Sequence, residues 1–267
     1  MRLGTNYNPA HSSPTEWAEI LSKKGYEAVC FPVNYEAPVN LIDAYVKAAK
    51  DYDLRIAEVG VWNSPHGKDG KRALQVCEEQ FRLADYIKAD CCVNISGSPG
   101  INWNGCDVLN FSQELYEKNV EMIQGLCDRV KPKYSFYTLE PMQWMLPDSP
   151  EQYLQFIKDV DREGFAVHMD VVNWVKDPYT YTHMDEMVQK SFELLGPYIK
   201  SCHLKDCKLF GTATVEIHEV PLGEGIINLP FFYEQVRRLH PDMPVLLEHL
   251  PDMEAYDKAL AVAKSKV

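Results

Sequence analysis

The sequence predicts a (β/α)8 barrel, and three observations carry that expectation. Short β-type apolar runs alternate with amphipathic helical stretches along almost the whole chain, which implies parallel strands joined by right-handed crossovers. Eight such units can be traced, the number that closes a barrel. The turn after the first strand, LGTNYNPAH, holds a single glycine, where an open nucleotide-binding sheet would carry a glycine-rich phosphate turn.

The expected strands cover residues 2–6, 28–33, 55–62, 91–96, 134–140, 165–170, 199–205 and 245–250. Each is a run of β-branched, aromatic or small apolar residues that breaks into polar sequence. The first four helices are read from SPTEWAEILSKKG, NLIDAYVKAAKDY, GKRALQVCEEQFRLADYIKA and SQELYEKNVEMIQGLCDRV. The last four are SPEQYLQFIKDVDREG, HMDEMVQKSFELLGPY, NLPFFYEQVRRLH and DMEAYDKALAVAKSKV. Ser13, Asn40, Ser112, Ser149 and Asn228 stand where N-caps belong, two of them directly before a proline. Residues 207–228 exceed a usual βα loop; TATVEIHEV there suggests a small hairpin, and PLGEG marks a candidate active-site loop. No linker-like stretch divides the chain, so residues 1–267 read as one domain.

Composition bounds the function. With 46% hydrophobic and 25% charged residues the chain reads as soluble and globular. A formal net charge of −12, without any long Lys or Arg run, argues against nucleic acid, polyphosphates and anionic membrane surfaces. No stretch approaches the roughly 18 apolar residues of a membrane span, and MRLGTNYNPAHSSP lacks a secretory pattern, so a cytoplasmic location is expected. The cysteines at 30, 77, 91, 92, 106, 127, 202 and 207 mostly fall inside expected elements and read as reduced and buried. Cys202 and Cys207 flank His203, but no second pair has zinc-ligand spacing.

Four residues close four separate apolar runs: Glu140 in YSFYTLE, Asp170 in FAVHMD, His203 in IKSCHLKD and Glu248 in VLLEHL. An unpaired charge in such a place costs several kcal/mol, and one divalent cation would neutralise the group together. Strand alternation puts Glu140 with Thr138, Asp170 with His168, His203 with Ser201 and Lys205, and Glu248 with Leu246. These faces point into the barrel near the C-terminal strand ends, where barrel enzymes carry their chemistry. Three carboxylates and an imidazole form a hard donor set suited to Mn2+ or Mg2+, with Zn2+ or Co2+ as further candidates. Lys205 reads either as a catalytic group or as a charge balance for the glutamates. His168, one layer deeper, is either a substrate contact or a hydrogen-bonded core residue. Glu58, with Trp62 and Asn63, lines a pocket or is structural; His240 and His249 read as structural or exposed.

At LEP (Glu140), MDVVN (Asp170), HLKD (His203), PLGEG and LLEH (Glu248) the chain resembles the xylose-isomerase-like barrel superfamily of sugar isomerases and epimerases. That group includes ketose 3-epimerases, hydroxypyruvate isomerases, inosose isomerases and inosose dehydratases. The resemblance implies a divalent metal, commonly manganese, on Glu140, Asp170, His203 and Glu248, with the two glutamates as acid and base on either face of a sugar. Where the family often has a histidine, in Asp-x-x-His, this chain has Asn173, an amide that can bind a hydroxyl but cannot shuttle a proton. HLKD looks more like the inosose dehydratase branch. The expected activity is therefore proton abstraction beside the carbonyl of a keto-sugar or polyol ketone, giving isomerisation or epimerisation. The alternative is elimination of water, with Lys205 as the acid or as an oxyanion partner. Trp144, Trp174 and Trp103 lie in loops after strands and either stack on the sugar or roof the core. The fold is shared with apurinic-site endonucleases, but the histidines do not fall in the pattern of a trinuclear zinc cluster. A small carbohydrate partner and a homo-oligomer, dimer or tetramer, complete the expectation.

Overall fold

A computed structural model describes residues 1–267. Eight parallel strands close on themselves: β1 (Arg2–Thr5), β2 (Ala28–Cys30), β3 (Arg55–Gly60), β4 (Cys91–Asn94), β5 (Phe136–Leu139), β6 (Phe165–Met169), β7 (Ile199–Leu204) and β10 (Pro244–Leu247). Closure comes from β1, which pairs with β2 on one side and β10 on the other. The helices α1 (Pro14–Lys24), α2 (Val39–Asp51), α3 (Gly70–Ile87), α4 (Gln113–Val130), α5 (Pro150–Val160), α7 (Met184–Leu195), α8 (Leu229–Leu239) and α9 (Met253–Ser265) connect the strands. Between α5 and α7 a short α6 (Pro178–Thr182) is added, capped by Asp177; five residues are too few to leave a helical period in the sequence.

Outward residues such as Tyr137, Leu139 and Val167 join the main apolar core under the helices, while Ala28, Ala57 and Leu246 form a separate small cluster. Four of the expected caps hold: Ser13, Ser112, Ser149 and Asn228 each accept a backbone N–H of their helix's first turn. Asn40 does not. It lies within α2, and Pro38 takes the N-cap position without any side-chain hydrogen bond.

The strands are shorter than expected, and their ladders stop just before Glu140, Asp170 and Glu248. The charged side chains therefore sit beyond the last paired residue, at the barrel mouth. The expected hairpin also shifts: β8 (Asp206–Phe210) pairs antiparallel with β9 (Glu216–Val220), so only its second strand falls within TATVEIHEV. It springs from the barrel directly after Lys205. Buried Asp206 anchors it by accepting the backbone N–H of Cys207, Gly223 and Gly225 at 2.9 Å each and of Ile227 at 3.0 Å. A Cβ on residue 225 would lie 2.1 Å from Asp206 Oδ1, which explains that glycine in PLGEG. No helix is long and apolar enough to cross a membrane. All eight cysteines are free, and Cys106 is the exposed one.

Candidate metal centre

Glu140, Asp170, His203 and Glu248 arrive from β5, β6, β7 and β10 at one point, with a ligand atom of each within 4.8 Å of all the others. All four are buried. In barrel order β7 and β6 lie between β10 and β5, so the two glutamates flank His203 and Asp170 from strands three positions apart. His203 Nδ1 stands 3.0 Å from Glu248 Oε2 and 3.4 Å from Glu140 Oε1.

Three of the converging atoms, Asp170 Oδ2, His203 Nδ1 and Glu248 Oε2, are buried without a well-aligned hydrogen bond, although the Lys205 ammonium stands 2.8 Å from the first and 3.0 Å from the last. Buried polar atoms are rarely left so, and three aimed at one centre are what a cation would satisfy. The donor set of three carboxylates and one ring nitrogen fits Mn2+ or Mg2+.

Lys205 stands within the group. Its ammonium lies 2.8 Å from Asp170 Oδ2, 3.0 Å from Glu248 Oε2 and 3.6 Å from Glu140 Oε1, so one positive charge faces three carboxylates. Electrostatics reflects the crowding. Burial and the nearby Glu248 charge push Glu140 up to about 7, against the pull of Lys205 and His203. Burial opposes ionisation of Glu248 and Asp170 too, yet His203 and Lys205 draw Glu248 well below the usual range, and Lys205 chiefly draws down Asp170. His203 and Lys205 are raised well above their ordinary values, the surrounding carboxylates outweighing burial.

Asn173 joins the centre directly. Its amide Nδ2 donates to Glu140 Oε1 at 2.8 Å, and its Oδ1 accepts from Lys205 Nζ at 3.2 Å. Other expected residues are placed elsewhere. Glu58 does not line the mouth; it is buried behind His203. His168 is fully buried one layer down, its Nδ1 2.5 Å from Ser201 Oγ. Asn63 and Trp62 line a cavity of about 710 Å³ over the ends of β3 and β4, together with Trp103. Trp144 binds Asn104 O through its indole N–H and braces two loops, while Trp174 is buried.

Two contributors escape the sequence. Glu219, on β9, reaches across to Lys205 Nζ at 3.4 Å and to His249 Nδ1 at 3.0 Å, forming one wall of a cavity of about 220 Å³ with Lys205, Glu248 and His249. Nothing in EIHEV distinguishes it from an ordinary exposed strand charge. Asn6, at the end of β1, donates to Glu248 Oε1 at 3.0 Å and accepts from the Tyr256 hydroxyl at 2.6 Å. Its position at a C-terminal strand end was the available signal.

Several solved structures share this architecture. A xylose isomerase-like TIM barrel protein from Mycobacterium smegmatis, in complex with magnesium, aligns with 100% of this chain and 97% of its own, at 18% identity and a TM-score of 0.69. The probable 3-DHS dehydratase AsbF from Bacillus anthracis aligns over 99% of both chains at 18% identity and a TM-score of 0.74. The 3-keto-D-glucoside 4-epimerase YcjR from E. coli does so over 99% of both at 14% identity and 0.70. No curated protein matches the sequence. The model of the family described as xylose isomerase-like TIM barrel matches residues 18–266. With the closed barrel already traced strand by strand, the chain belongs to the xylose isomerase-like TIM barrel family.

Proposed function

We propose that the protein is a divalent-metal-dependent sugar isomerase or epimerase acting beside the carbonyl of a keto-sugar or polyol ketone. The observation that carries this reading is the convergence of Glu140, Asp170, His203 and Glu248 on one buried point, with a ligand atom of each within 4.8 Å of the others. These four residues would hold the ion, manganese by donor type, with magnesium supported by the neighbour whose structure contains it. Bound there, a cation supplies positive charge that polarises a carbonyl and favours loss of a proton from the adjacent carbon.

The chain's own residues supply the proton traffic. Glu140 and Glu248 flank the site from separate strands, so one takes a proton from one face of the substrate and the other returns a proton to the opposite face, inverting that carbon. Return to the neighbouring carbon gives isomerisation instead. Asn173 orients Glu140 through its amide and does not itself carry a proton. Burial keeps water from competing with these transfers.

One observation favours a second reading, dehydration. The Lys205 ammonium lies 3.0 Å from Glu248, where it can give a proton to a departing hydroxyl while the glutamate removes the carbon-bound proton. A dehydratase among the structural neighbours agrees with it.

Proton NMR in D2O tests both. Protein loaded with Mn2+ and offered a panel of ketoses and cyclitol ketones should exchange a substrate C–H for deuterium, and chelation should stop it. Glu140→Gln and Glu248→Gln should each lower that rate at least about a hundredfold. Water loss with an ultraviolet-absorbing product selects dehydration. An absence of exchange and of elimination across the panel sinks the proposal.

A further inference from the structure

Beneath the four converging residues lies a chain of buried polar groups with no exit to solvent. Glu58 is 1% exposed and has no Lys or Arg partner. Its Oε2 faces His203 Nε2 at 3.1 Å, and its Oε1 accepts from the Ser201 hydroxyl at 2.9 Å. Ser201 Oγ in turn meets His168 Nδ1 at 2.5 Å.

Each proton in this chain has one place to be. Ser201 donates its single hydroxyl proton to Glu58, so the Ser201 oxygen accepts, and His168 must carry its proton on Nδ1. Its Nε2 then holds only a lone pair, and that atom is indeed the one without a partner. Glu58, an acceptor on both oxygens, likewise requires a proton on Nε2 of His203. With an ion in place of its second proton, a His203 so held would present its lone pair at Nδ1, the atom that faces Glu140 and Glu248.

We infer that Glu58 is a positioning residue: by accepting the His203 Nε2–H from across the barrel, it selects the Nδ1 lone pair for the ion and fixes the ring plane. This rests on the metal reading proposed above. Glu58 is not itself a ligand of that centre, because both its oxygens are taken by donors and it lies on the far side of the imidazole. Carboxylates behind metal-binding histidines raise affinity by about 10–100-fold through this tautomer control.

Glu58→Gln is the informative variant, because it keeps the shape while offering an amide N–H that competes for the wrong tautomer. Calorimetric titration with Mn2+ should show affinity about 10–100-fold weaker than wild type, with folding checked by circular dichroism. A second readout needs no variant: long-range proton–nitrogen NMR of Mg2+-loaded wild type should place the His203 proton on Nε2. A Glu58→Gln protein that binds Mn2+ within about twofold of wild type overturns the inference, as does a proton found on Nδ1. Wild type that binds neither ion overturns the metal reading along with it.

Discussion

At the residue scale the centre is built from side chains that do each other's work. Asn173 bonds Glu140 with one end of its amide and Lys205 with the other, so its replacement disturbs an acid and a cation together. His168 shows how far burial can go. Desolvation, aided by the neighbouring His203 charge, lowers its pKa from 6.5 to about 4, so the folded protein holds it neutral. Between those values the unfolded chain binds a proton the folded one refuses. This contribution is therefore complete above pH 6.5 and is lost as pH falls toward 4; it amounts to about 3 kcal/mol. Urea unfolding at pH 7 and pH 4.5 should show wild type losing about 2–3 kcal/mol more than His168→Gln over that interval. Equal losses would disprove the assignment.

Among elements, the hairpin of β8 and β9 is the unusual one. It belongs to no barrel strand pair, and its root depends on one carboxylate that receives four backbone N–H groups. Asp206→Asn turns one acceptor oxygen into a donor facing other donors, a change worth about 1–3 kcal/mol. The variant should unfold at lower urea and be cut faster by protease within residues 211–215, while α1 and β1 remain as resistant as before. Unchanged cleavage would show that the root is held some other way. The hairpin also marks where sequence reasoning stops. Its existence could be read from TATVEIHEV, but its first strand could not, because it begins at Asp206, one residue after β7 ends, with no Gly or Pro turn signal between them. Asn40 misled for a related reason: a good capping residue lost its position to Pro38, whose fixed φ ends the preceding chain just as well.

At the scale of the whole molecule, the barrel was legible because its evidence is repeated eight times, each unit pairing a β-type run with a helical period. The four converging residues were legible for a second reason: a charge that ends an apolar run at the C-terminal edge of a strand stands out without knowledge of its neighbours. Glu58 is the counterexample. It sits inside β3 and read as either a pocket residue or a structural one; its partners, His203 and Ser201, lie on a strand distant in sequence, and only closure of the barrel brings them within hydrogen-bonding reach. Glu219 was hidden more deeply, since its role depends on where a hairpin folds over.

The cysteines carry a practical corollary. Burial pushes the thiols of Cys30, Cys127 and Cys207 up to about 12 and that of Cys77 up to about 11, which leaves them sluggish nucleophiles even where a reagent could reach. Cys106 alone is exposed, on the β4–α4 segment that Asn110 and Trp144 tie to the loop after β5. A thiol-directed dye should therefore label the native protein at about one equivalent and the denatured protein at eight. The molecule thus comes with a single attachment point for a fluorophore, on the β4–α4 segment, without any engineered substitution.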